Sequence, residues 1–325
     1  MQFKEAITAF ILTKNSEKTI ERTLRSLVPL QCGIIILDTG STDKTVQCCL
    51  QYGCTVWYDT WNDDFSSARN KAIAYCSTPW ILMIDSDEEL SFFDKQFFER
   101  QIQIPTIGGF SVSIKNYLND TKTAFTSHIY TRVFRNDIRI RFDGKIHEQI
   151  SPSIYNASYS IVDSPIEISH YGYMENSEEK RKRNRQLLEI EYAQKGDDYI
   201  AYQLLLTYFA DNNCEKVITI GVTLLQSKML SDKQIELIRI RMAQSYLQKS
   251  NFSKMYEVLD HKFTDNDYDI FRKYLLVVHS MQVRDFRKAK MDLQYILSNF
   301  QPGMVTIAEL KKLEKILNEI MGSLY

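Results

Sequence analysis

No run in this 325-residue chain approaches the roughly 18 apolar residues of a membrane span, and residues 1–10 lack the apolar core of a secretory signal. Its six cysteines, five of them before residue 77, show neither a zinc spacing nor a secretory disulfide framework. These absences lead us to expect a reducing, cytoplasmic setting. An excess of one charge is missing too: 40 Lys and Arg against 41 Asp and Glu leave a net charge of −1, which gives no bulk attraction to nucleic acid or an acidic membrane. No Gly-x-Gly-x-x-Gly follows any apolar run, and Thr13-Lys14-Asn15 stands where a glycine-rich phosphate loop would be, so dinucleotide binding and nucleotidyl transfer lose their signatures. Proline is nearly absent late in the chain, with five of the six by Pro165. The long charged remainder therefore reads as helical.

An apolar content of 44% is enough for the cores of two domains. In the first, Ala6 to Leu12 reads as a strand, followed by a polar turn and a helix over Thr19 to Leu27, with Asn15 or Ser16 as its cap. Gly33 to Leu37 is a second strand, Asp38 to Asp43 a polar turn and Lys44 to Tyr52 a helix. Thr55 to Tyr58 reads as a third strand and Phe65 to Ala74 as a helix entered from a capped loop. This alternation predicts an α/β fold with a mostly parallel sheet. The fourth strand, Trp80 to Ile84, runs into Asp85-Ser86-Asp87-Glu88-Glu89. In open α/β sheets the carboxyl ends of strands are where ligands bind. Crowded carboxylates repel, so such a cluster calls for solvation or a divalent cation.

Four ordered blocks carry a resemblance: Ile11-Leu12-Thr13-Lys14-Asn15, Leu37-Asp38-Thr39-Gly40-Ser41-Thr42-Asp43, Phe65-Ser66-Ser67-Ala68-Arg69-Asn70 and Ile84-Asp85-Ser86-Asp87. On these the chain resembles the family-2 inverting glycosyltransferases of the GT-A fold, which use nucleotide-sugar donors. The resemblance implies Thr13 beside the nucleotide, Asp38 and Arg69 on the uracil edge, Asp85 at the ribose and Asp87 on the metal bridging the two phosphates. The chemistry suits those residue types. A uracil edge complements one carboxylate acceptor and one guanidinium donor, and a departing diphosphate is stabilised by a Lewis acid, with oxygen ligands favouring Mn2+ or Mg2+ over zinc. Turn capping by Asp38 and an ion pair for Arg69 are the structural alternatives.

Further on, Gly109 to Ile114 and Ile129 to Arg135 alternate as strands around a polar loop, Lys115 to Ser127. The blocks Arg141-Phe142-Asp143-Gly144-Lys145-Ile146-His147-Glu148 and Ile168-Ser169-His170-Tyr171-Gly172-Tyr173 narrow the resemblance to a branch with helical repeats after the catalytic domain, similar to the sublancin-type peptide S-glycosyltransferases. We assign Glu148 as the general base of a single inverting displacement, with Glu88 and Glu89 as competitors. His170 is a candidate second metal ligand, and His147 either orients Glu148 or packs beneath its loop. The expected domains are 1–174, GT-A-like and catalytic, and 175–325, all-α and tetratricopeptide-like. Phe252 and Phe286 match in the latter at a separation of 34, the period of such helix pairs. Lys180, Arg183 and Arg185 form a charged helix start that is either solvated or a basic flap over the diphosphate.

The expected donor is UDP-glucose or a related UDP-hexose. The expected acceptor is a peptide Cys or Ser/Thr, with a cell-envelope glycan or lipid-linked acceptor as the alternative. A non-enzymatic repeat protein with a decayed transferase domain is the third class, and the intact acidic, Arg-Asn and His-Glu blocks oppose it. The helical domain is expected to bind the acceptor peptide or form a homodimer, or simply to cap the catalytic domain.

Overall fold

The computed structural model describes residues 3–117, 125–171, 178–300 and 304–322. The chain divides into two compact units, Met1–Leu187 and Leu188–Tyr325. In the first, a short helix α1 (Phe3–Ala6) leads into β1 (Ile7–Thr13), followed by α2 (Ile20–Leu27), β2 (Gly33–Asp38), α3 (Thr45–Gln51), β3 (Thr55–Tyr58), α4 (Phe65–Ala74) and β4 (Trp80–Met83). Next come β5 (Glu88–Phe92), α5 (Lys95–Gln101), β6 (Ile107–Tyr117), β7 (Phe125–Arg135), α6 (Ser151–Asn156) and β8 (Ser160–His170).

The strands form one sheet in the order β3-β2-β1-β4-β7-β6-β8-β5. Pairs β1–β2, β1–β4, β2–β3 and β6–β8 are parallel, whereas β4–β7, β6–β7 and β5–β8 are antiparallel. Every residue of β1 is buried, because side chains of period two serve two cores at once. Ile7, Ala9 and Ile11 join one cluster with Leu24, Trp80 and Phe98, while Phe10 and Leu12 join another with Ala68, Ile73 and Phe134. Helix α2 packs through Ile20, Thr23, Leu24 and Leu27, one stripe at helical spacing. Asp64 caps α4, its carboxylate accepting the Ser67 N–H at 2.7 Å.

This α/β unit with a mostly parallel sheet, followed by an all-α region, is the fold class expected from the sequence. Three local readings change. Neither Asn15 nor Ser16 caps α2, which starts from Thr19 with no side-chain cap; the Asn15 backbone is left-handed (φ 51), turning its amide toward the β2–α3 loop. The acidic run is not one loop, since Glu88 and Glu89 open β5 and pair with His170 and Ser169 of β8. The strands flanking the expected 115–127 loop are longer than read, pairing Lys115 with Ser127, and residues 118–124 lie outside the described ones.

Helix α7 (Glu178–Lys195) contains the division between the units. Beyond it run α8 (Asp198–Ala210), α9 (Cys214–Leu224), α10 (Asp232–Gln248), α11 (Phe252–Leu259), α12 (Asn266–Gln282), α13 (Phe286–Ser298) and α14 (Ile307–Gly322). The turns within α8/α9, α10/α11 and α12/α13 repeat one device. A left-handed residue, Asn212, Ser250 or Arg284, precedes a cap, Asn213, Asn251 or Asp285. Each cap side chain accepts the backbone N–H three residues on, and each cap N–H reaches back to Tyr208, Tyr246 or Ser280. Asn251 and Asp285 are 34 residues apart, the tetratricopeptide-like period, while Asn213 and Asn251 are 38 apart. Among the described residues no helix is long and apolar enough to cross a membrane.

Because the cap satisfies an otherwise orphaned helix donor, Asn251→Ala should lower stability by about 1 kcal/mol. Asn251→Asp, reproducing the cap of the next repeat, should lose little. Urea midpoints of the two full-length variants test this, and equal midpoints for Asn251→Ala and the parent would overturn it.

Candidate active site

A cavity of about 570 Å³ opens where β1 and β4 end, lined among others by Thr13, Asn15, Asp85, Asp87, Arg69 and His170. Two loops shape its rim. Asn15 Oδ1 accepts the Thr42 N–H at 2.8 Å, the Asn15 N–H donates to Ser41 Oγ at 2.8 Å, and Lys44 donates its N–H to Glu17 Oε2 at 3.0 Å. Asp38, 2% exposed, serves its own turn: Oδ1 accepts the N–H groups of Gly40 (3.1 Å) and Ser41 (2.9 Å), and Oδ2 the Ser41 hydroxyl. That turn needs Gly40, whose φ of +103 lies in the left-handed region. Asp38 is not among the residues lining the cavity.

At the cavity floor, where Arg69 and Asp85 line it, lies a largely buried network of two guanidiniums and three carboxylates. Arg69, 5% exposed, pairs through Nε with Glu148 Oε1 and through Nη2 with Asp85 Oδ1 at 2.9 Å. Arg132, 7% exposed, reaches Asp85 Oδ2 at 3.1 Å and Glu88 Oε1 at 2.7 Å. Met83 Sδ lies against both guanidiniums, and Glu88 Oε2 accepts the Asp85 N–H at 2.8 Å. Burial disfavours the charge on Asp85, but Arg69 and Arg132 together hold its carboxyl well below the usual range. Burial pushes Glu88 up to about 7, with the neighbouring Asp85 adding to the effect and Arg132 opposing it.

Asp87 is outside this network and faces His170, with His170 Nε2 3.4 Å from Asp87 Oδ2. Burial acts to lower the His170 pKa, yet Asp87, Glu88 and Asp85 outweigh it and raise it. His170 Nδ1 donates to Asn116 Oδ1 at 2.8 Å, and Asn116 Nδ2 donates to His128 Nδ1 at 2.8 Å. Partial desolvation, helped by Arg132 and His170, lowers the pKa of His128 although its ring remains partly exposed, so it is neutral at pH 7. The Tyr171 hydroxyl donates to Glu89 Oε2 at 3.0 Å, while the Arg22 guanidinium lies 4.0 Å over the Tyr171 ring. Thr13 Oγ1 is buried on the cavity wall with no hydrogen-bond partner among the described residues.

No three His, Cys, Asp or Glu side chains converge on a metal-sized site among the described residues. Asp87 and His170 offer one oxygen and one nitrogen. That pair fits a divalent cation taking its other ligands from substrate phosphate and water.

Residues 8–152 match the family described as Glycosyl transferase family 2. The chain carries a family-2 glycosyltransferase domain. The SPbeta prophage-derived glycosyltransferase SunS of Bacillus subtilis (strain 168) is 32% identical over 193 residues, covering 56% of this chain and 44% of that protein. A TPR repeat-containing protein of Synechococcus elongatus is 30% identical over 202 residues, covering 59% and 49%. Among solved structures, S. aureus TarS is similar with a TM-score of 0.45 and 16% identity, over 89% of this chain and 55% of that one. The chain spans about half the length of the curated relatives it matches.

Within the transferase domain, the residues singled out from sequence have separate placements. Thr13, Arg69, Asp85, Asp87 and His170 line one cavity; Glu148 joins them through Arg69, and Asp38 remains in its turn. His147 is exposed with a left-handed backbone (φ 52), so it does not pack beneath its loop. Arg183 lines the cavity about 6 Å from the Trp61 and Phe65 rings. Gly172 and Tyr173 and the Lys180 side chain lie outside the described residues. Arg132 and Asn116 were missed. Each is a polar residue on the buried face of an alternating strand, Arg132 in line with Phe134 and Asn116 in line with Val112 and Ile114, and that mismatch was the available signal.

The Glu88 carboxyl binds its proton more tightly in the native state than at its ordinary 4.5. At this carboxyl the native state holds more protons than the unfolded one between about 4.5 and about 7, so its contribution to stability falls as pH rises through that window, while His128, held down to about 4, contributes in the opposite sense over much of the same range. Asp85 acts in the opposite sense, but only at lower pH. Glu88→Gln should remove its contribution and leave that of His128, so the change in melting temperature from about pH 5 to about pH 7 should be more positive in the variant than in the parent. An unchanged difference would refute a native carboxyl titrating in that window.

Proposed function

We propose that this chain transfers a hexose, with inversion, from UDP-glucose or a related UDP-hexose to a peptide Cys or Ser/Thr. The observation that carries the reading is the facing pair Asp87 and His170 at the strand-end cavity of a family-2 transferase domain. A divalent cation held there, Mn2+ or Mg2+, supplies charge neutralisation to the departing diphosphate. Around it the chain's own groups bind and orient. The unsatisfied Thr13 hydroxyl is poised for a nucleotide contact. Asp85, with both oxygens steadied by arginines, retains lone pairs for ribose hydroxyls. Arg69 lines the cavity beside the expected uracil edge while its Nε holds Glu148 Oε1. Glu148 Oε2 then accepts the nucleophile's proton as the acceptor attacks opposite the diphosphate. The peptide acceptor rests on the resemblance to sublancin-type enzymes and on the repeat architecture, a common partner-binding scaffold. All six cysteines are free thiols, consistent with the proposed reducing cytoplasmic setting.

Asp87→Ala should abolish the metal-dependent part of UDP affinity in a folded protein. Calorimetry with UDP and Mn2+ tests it, and unchanged metal-dependent affinity would remove Asp87 from the site. Glu148→Gln should slow transfer on the order of 10²-fold while keeping donor binding. The defect should be larger for a Ser peptide than for a matched Cys peptide, whose thiolate needs less help. Single-turnover rates by mass spectrometry decide: a parental rate on Ser refutes the base assignment, and no hexose addition to either peptide by the parent refutes the peptide acceptor.

A further inference from the structure

We infer that Asn116 is a positioning residue that fixes the tautomer of His170 and so presents the His170 Nε2 lone pair toward Asp87. This rests on the reading of Asp87 and His170 as the cation site. The β6–β8 register sets Asn116 directly opposite His170, and the amide is buried at 6% exposure. An amide oxygen only accepts, so at the 2.8 Å contact with Asn116 Oδ1 the proton is on His170 Nδ1. In the neutral ring that leaves Nε2 as a lone pair, 3.4 Å from a carboxylate oxygen. Two electron-rich atoms so placed repel unless something positive lies between them. In the metal-free protein a proton on Nε2 meets that need, and a cation shared by Asp87 and His170 would take that proton's place.

The amide is itself oriented from behind. Asn116 Nδ2 can only donate, so His128 Nδ1 accepts and the neutral His128 ring carries its proton on Nε2. The line His128–Asn116–His170–Asp87 therefore has a direction. Reversing the amide would require His128 to donate from Nδ1 and would put a proton on His170 Nε2, where a metal ligand needs a lone pair. Nothing in the sequence marks Asn116 for this role except a polar side chain on a buried strand face.

Asn116→Leu keeps the size but removes the acceptor, and Asn116→Asp keeps an acceptor for Nδ1–H. With UDP present, Mn2+ affinity should fall roughly 10–100-fold in Asn116→Leu, and Asn116→Asp should restore it to within about threefold of the parent, on the order of 0.7 kcal/mol. UDP affinity without metal should stay unchanged in both. Parental Mn2+ affinity in Asn116→Leu, or equal weakness in Asn116→Asp, overturns the inference. His170→Ala separates the two readings. If it too binds Mn2+ like the parent, the cation site is wrong; if it is weak while Asn116→Leu is not, only the role of Asn116 fails. Should Asn116→Leu not fold, ring 15N shifts of neutral His170 in the metal-free parent decide, with a proton on Nδ1 supporting the inference and one on Nε2 overturning it.

Discussion

Charges buried at the cavity floor are stable only when they are matched, and here the matching ties together pieces of chain far apart in sequence. Arg69 on α4 and Arg132 on β7 are held between Asp85 after β4, Glu88 at the start of β5 and Glu148 in the loop before α6. Three carboxylates against two guanidiniums leave one negative charge over, and burial answers it by moving the Glu88 carboxyl up to about 7. Desolvation makes such a network costly and any single vacancy costlier still, since the abandoned charge has little access to water. The network therefore serves as a geometric constraint: the strand end, the helix and both loops reach their places together.

That constraint sorts the acids. Asp85 and Glu88 are consumed by arginines, Glu89 bonds the Tyr171 hydroxyl, and Asp87 is the acid that faces a histidine across the cavity. His170 arrives there because β8 runs antiparallel beside β5, pairing it with Glu88, and parallel beside β6, pairing it with Asn116. One register sets the position of His170 and its hydrogen-bonding partner. A shift of one residue would turn His170 to the other face and leave Asn116 without its acceptor role.

In the helical unit the organising interaction is local. Each helix pair turns on a left-handed residue followed by an Asn or Asp cap, and the caps recur because every second helix needs the same donors satisfied. The spacing of 34 was visible between Phe252 and Phe286 for that reason. The interval before it, 38 between Asn213 and Asn251, departs from that period.

The sequence by itself determined the elements and the chemistry class. Strand, polar loop and helix alternate with strong periodicity; the acids follow an apolar run, and the ordered blocks around Thr13, Asp38, Arg69 and Asp85 specify the family-2 domain. These signals are local, arising from propensity, patterning and short motifs. Only the tertiary structure decided which charges meet. Arg132 looked like one more residue of a strand, Asn116 like the start of a loop, and Glu88 like part of an acidic turn. Their roles depend on sheet order and register, which bring together residues of β4, β5, β6, β7 and β8 from positions as far apart in sequence as Met83 and His170. Pairwise matching of buried charges is a property of that assembled neighbourhood, and no local pattern encodes it.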